Sequence, residues 1–129
     1  MKLILAAAAS AALLVSTNAF AAGDVGAELT TAGTHAGLAA KAASIDMVHM
    51  HLHHALNCLE GQGGADYDAG QANPCAKSGT GAIPDSADAA QKAKLQTAVG
   101  QLKAGIASAD MTAAAKAGTD ASETIASAK

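Results

Sequence analysis

Ile45-Asp46-Met47-Val48-His49-Met50-His51-Leu52-His53-His54-Ala55-Leu56-Asn57-Cys58-Leu59 holds four of the five histidines of this 129-residue chain, two of its four methionines and one of its two cysteines. At about 100° per residue, Ile45, Val48, Leu52, Ala55, Leu56 and Leu59 fall on one arc of a helix, with Leu38 on the same arc upstream. That arc is the expected core face. His49 and His53 stand one turn apart on one flank, with Asp46 and Asn57 beside them, while Met47, Met50, His54 and Cys58 gather on the far side with His51 next to Cys58. Two imidazoles four residues apart can point at one ion, as in helical zinc sites, and the Met50, His54, Cys58 ladder has the same spacing. His49 and His53 are therefore the expected first pair, supplemented by Met50, His54 and His51. One helix supplies only two or three ligands to one ion, so the others must come from a loop, water or a second molecule.

Upstream, helical composition reaches back to Asp24, a good N-cap, with Gly26, Gly33 and Gly37 as weak points, and this predicts one long helix over about 24–59. His35 then lies about 21 Å from His49 at about 1.5 Å per residue, and only a kink at Gly33 or Gly37 would bring it into the cluster. Downstream, Gly61 is placed to end that helix. The Gly, Asp, Asn and Pro-rich segment of about 60–84 is too long for an ordinary helix connection. Cys58 and Cys75 offer a tie: two cysteines in an exported chain favour a disulfide, which would contribute about 3 kcal/mol in the chain-entropy model and draw Asp66 and Asp68 toward His54. The alternative keeps both thiols free, giving Met50, His54, Cys58 and Cys75 as a soft set suited to copper(I). Asp66-Tyr67-Asp68-Ala69-Gly70 opens like a calcium loop, but Gly70 and Lys77 occupy positions five and twelve, where oxygen ligands are required, so an EF-hand is excluded.

Two further helices are expected, over about 85–107 and 110–127. Leu95, Val99, Leu102 and Ile106 recur at helical spacing with Ala87, Ala90 and Ala98 along or beside them, and Met111, Ala114, Ala115, Ala121, Ile125 and Ala128 form a weaker stripe interrupted by Gly118. These helices carry no histidine or cysteine and read as scaffold. No pattern of period two appears. The expected fold class is all-α: a small antiparallel helical bundle of three helices, or four if the first breaks near Gly33, with a long disulfide-tied loop.

Residues 1–21 have the parts of a signal peptide: Lys2, the apolar run Leu3 to Val15, and Ala19-Phe20-Ala21 as a small-x-small cleavage site. Cleavage after Ala21 would leave one domain over 22–129, periplasmic or secreted, with no membrane span. That mature chain would carry seven lysines, no arginine and eleven acids, with Tyr67 as its single aromatic residue. An acidic chain without arginine argues against nucleic acid as a partner, and one tyrosine provides no stacking platform. A core of Leu, Ile, Val, Met and much alanine buries little area per residue, so a staple, a metal or a partner is expected to help it.

The histidine-rich stretch, the signal peptide and the Ala/Lys/Asp helices together resemble the small histidine-rich periplasmic metal-binding proteins that fold as helical bundles. The resemblance implies sequestration, buffering or delivery of copper, nickel or zinc, without catalysis. Those proteins spread histidine along every helix; here it stands on one predicted helix, so one or two sites are expected. No serine nucleophile signature, paired carboxylates or His-Glu-x-x-His motif suggests an enzyme. The alternatives are an interaction module of the cell envelope, or haem binding through a homodimer, since no Cys-x-x-Cys-His is present.

Overall fold

The computed structural model describes residues 23–129, and the signal-peptide reading of 1–21 lies outside them. Among the described residues there are five helices and no strand: α1 Val25–Ala39, α2 Ile45–Glu60, α3 Ala82–Asp85, α4 Ala89–Ala107 and α5 Met111–Ala126. No helix among them is long and apolar enough to cross a membrane.

Each long helix begins on a side chain that accepts from its first turn, which satisfies amides that have no partner inside the helix. Asp24 accepts from Ala27 N at 2.9 Å, Ser44 Oγ from Met47 N at 3.3 Å, Asp88 from Ala90 N at 2.7 Å, and Asp110 from Ala113 N at 2.7 Å.

The single helix expected over 24–59 is two helices. The chain reverses at 40–44, where neither glycine nor proline stands, and Ser44 restarts it. Alanine's helix propensity is outweighed here by burial. An unbroken helix of that length would extend about 54 Å and leave its apolar stripes in water. Folded back, α1 packs on α2 and α5 and buries Ala32, Ala36 and Ala39. Leu38, expected on the core arc, is consequently turned outward and is 42% exposed. The start of the second expected helix, placed at about 85, also moves: Ala82–Asp85 forms a separate turn containing Pro84, and Asp88 caps α4 at Ala89. Ala87 and Ala90 are exposed.

The four long helices close a ring of neighbours, with α4 against α5 and α2, and α1 against α2 and α5. Leu29, Val48, Leu52, Leu56, Leu59, Leu95, Leu102 and Ile125 fill the centre. Gly118, expected as an interruption of its stripe, is a contact point: a Cβ there would stand 2.8 Å from Ala36 O. Met111, expected in the same stripe, is 40% exposed at the start of α5.

The loop after α2 is held from within. Cys58 and Cys75 form a disulfide with Cα atoms 5.1 Å apart, and among the described residues no cysteine is free. The soft ligand set that required both thiols is thereby excluded in this state. Asn57, expected on a polar flank beside His49 and His53, is fully buried. Its Nδ2 donates to Asp68 O at 2.9 Å and Ala72 O at 3.1 Å, and its Oδ1 accepts from Asp68 N at 2.9 Å. Gly61 ends α2 at φ 64°, where a Cβ would collide with Thr80 O. Buried Glu28 accepts from Gly81 N at 2.9 Å, and its carboxyl is pushed above the ordinary range chiefly by burial, with Asp85 and Asp24 adding to the effect.

Candidate metal centre

The reversal at 40–44 lays His35 of α1 opposite His51 and His54 of α2. His35 Nδ1 is 3.3 Å from His51 Nδ1. The ring centroids are 5.5 Å apart for His35 and His51, 5.0 Å for His35 and His54, and 6.0 Å for His51 and His54. One ring nitrogen from each of the three lies within 4.8 Å of the others, and all three residues are half-buried.

These distances suit a shared ion. A metal holds imidazole nitrogen at about 2.0–2.1 Å, so two such ligands at tetrahedral angles stand about 3.3–3.4 Å apart. The His35–His51 pair already has that separation, and the nitrogen of His54 lies within 4.8 Å of both. Without an ion, one of the two facing Nδ1 atoms must carry a proton and the other accept it. His54 Nδ1 is buried and has no hydrogen-bond partner, so the cluster contains an imidazole nitrogen whose desolvation the protein itself does not offset.

The protonation state fits as well. His35 is held below its ordinary pKa of 6.5, first by burial and then by the neighbouring His54 and His51; His54 is lowered by burial, then by His51 and His53. Neutral imidazole is the form that ligates. Because the folded pKa values lie below the unfolded ones, the unfolded chain binds more protons, so this contribution to stability is complete above the unfolded value of about 6.5 and is lost progressively as pH falls from there through the lowered folded values. Glu28 acts in the opposite sense, since its raised pKa removes stability as pH rises above 4.5. The histidine part is therefore the difference between wild type and His54→Gln. In thermal melts of metal-free protein from pH 7.5 to pH 5, wild type is expected to lose more stability than the variant; parallel curves would show that the cluster does not titrate with folding.

The structure distributes the expected residues over two sides of α2. His51 and His54 meet in the cluster. His49 Nε2 lies 2.9 Å from Ser108 O and ties α2 to the α4–α5 connection. His53 Nδ1 faces Asp68 Oδ2 at 3.4 Å without hydrogen-bonding geometry. Asp68, expected near His54, thus meets His53 instead, and Asp66 pairs with Lys103 at 2.6 Å. Met50 stays on the arc of His51 and His54 and is half-buried. Sequence reasoning places a reversal at glycine and so does not bring His35 in as a candidate ligand; Ser44, three residues ahead of Met47 and two before acidic Asp46, is the available signal of a helix start. A separate groove of about 450 Å³, lined by residues including Glu60, Ile83, Lys92 and Val99, contains none of the histidines.

Comparison of the chain with protein-family models, with curated proteins and with solved structures finds no match.

Proposed function

We propose that this chain is an exported protein that binds one transition-metal ion for sequestration, buffering or delivery, with copper, nickel and zinc as the candidates, and that the ion is cargo on which no catalysis is performed. The observation that carries the reading is the convergence of three imidazoles from two helices, with ligand nitrogens within 4.8 Å of one another. Lys2, the apolar run Leu3 to Val15 and Ala19-Phe20-Ala21 support export. The Cys58–Cys75 disulfide suits an oxidising compartment.

In this reading the four long helices act as an antiparallel bundle that preorganises the donors: α1 presents His35, and α2 presents His51 and His54 from successive turns. His49 and His53 already engage Ser108 and Asp68, and we assign them supporting roles.

The test is titration of metal-free protein with zinc, nickel and copper against competing indicators, together with elemental analysis of protein isolated from its own compartment. One equivalent retained through gel filtration is expected. Failure to retain any of the three ions would remove the metal reading and leave the interaction module.

A further inference from the structure

Three imidazoles leave a fourth position round the ion, and two features of the chain narrow both its occupant and the ion. The first is charge. Among the described residues the cluster consists of His35, His51 and His54, with no carboxylate or thiolate, and both cysteines are consumed in the disulfide. Neutral imidazoles leave the ion its whole charge in a half-buried site. The Born penalty for taking an ion out of water rises with the square of its charge, so a monovalent ion suffers about a quarter of the penalty of a divalent ion of equal size. On desolvation alone the absence of a counter-charge penalises a divalent ion more than a monovalent one; three neutral imidazoles also suit zinc, so the fourth ligand decides between them.

The second feature is position. Met50 stands four residues before His54 and next to His51 on α2. Residues four apart on a helix lie about 5–6 Å apart at Cβ, and a methionine side chain is long and flexible enough to cover that span. Met50 is half-buried and does not belong to the buried core, and Met47, one turn before His51, is 45% exposed. Two thioethers are thus kept out of the core on the helix that carries His51 and His54, Met50 one turn before His54 and Met47 one turn before His51, and Met50 is the less exposed of the two. Thioether sulfur selects copper(I) over harder divalent ions.

We propose that the ion is copper(I), held by His35, His51, His54 and the thioether of Met50. This rests on the metal-binding reading and deepens it, since the site then separates copper(I) from zinc by one soft, neutral ligand.

The experiment is an anaerobic titration of the metal-free protein with copper(I) against a chromophoric copper(I) chelator. A parallel titration uses zinc against a zinc indicator, and X-ray absorption is recorded at the copper edge. Wild type is expected to bind one equivalent of copper(I) with a sulfur scatterer and no free thiol. Met50→Leu is expected to lose the sulfur signal and about 10-fold or more in copper(I) affinity, while its zinc affinity stays within about 3-fold. Met47→Leu should resemble wild type. Equal copper(I) affinity in wild type and Met50→Leu, nitrogen-only scattering in wild type, or a sulfur signal that survives in Met50→Leu would overturn the proposal. In those cases zinc binding lost in His35→Ala would still support the metal site. Absence of both ions from wild type would overturn the two readings together.

Discussion

His35→Ala is expected to weaken zinc binding by about 100-fold or more, while His49→Ala changes it by less than about 3-fold. Removing His35 deletes the one candidate ligand that α1 brings to the cluster and leaves His51 and His54 alone on their helix. An ion bound by two imidazoles of one helix keeps more of its water shell and is more weakly held. His49 instead bonds the carbonyl of Ser108, so its loss removes a tether and no ligand. The measurement is competition against a zinc indicator at constant pH, with far-ultraviolet circular dichroism to show that both variants retain their helices. The opposite pattern, with binding lost in His49→Ala and kept in His35→Ala, would return the site to the i,i+4 pair on the other flank of α2.

Asn57→Leu is expected to destabilise the fold by about 2–4 kcal/mol, among the largest effects available to a single polar side chain. The replacement keeps the branched outline of the side chain, although its two methyl groups are larger than the amide oxygen and nitrogen and add some overpacking to the loss. What is lost is a fully buried amide that donates to the carbonyls of Asp68 and Ala72 and accepts from the amide of Asp68. These backbone groups would be left without partners under the loop. At roughly 4–8 °C per kcal/mol for a domain of this size, the melting temperature should fall by some 10–25 °C. Urea titration of the oxidised protein checks it. A loss below about 1 kcal/mol would show that the disulfide alone holds the loop.

Much of the architecture was legible before the fold was seen. The absence of any period-two pattern, the alanine content and the turn-rich segment after Glu60 pointed to helices and one tied loop, and among the described residues the structure has five helices, no strand and the Cys58–Cys75 bond. The core face of α2 was also readable: Val48, Leu52, Ala55, Leu56 and Leu59 are all buried. Two kinds of feature were not. The turn at 40–44 carries no glycine or proline, so local preference favoured continuing the helix through Ala39-Ala40-Lys41-Ala42-Ala43. Asn57 looked like a surface residue because its partners are backbone groups up to fifteen residues away, and backbone partners leave no mark in side-chain pattern.

The sequence by itself determined the helical class, the core stripe of α2 and the concentration of donors on one stretch, and it left the two cysteines either bonded or free. These follow from local composition and from helical period, which act over one or two turns. Only the tertiary structure decided which donors meet. Folding α1 back on α2 buries its alanine stripe, and that burial, a property of the whole packed chain, brings His35 to His51 and His54 and leaves His49 and His53 to other partners.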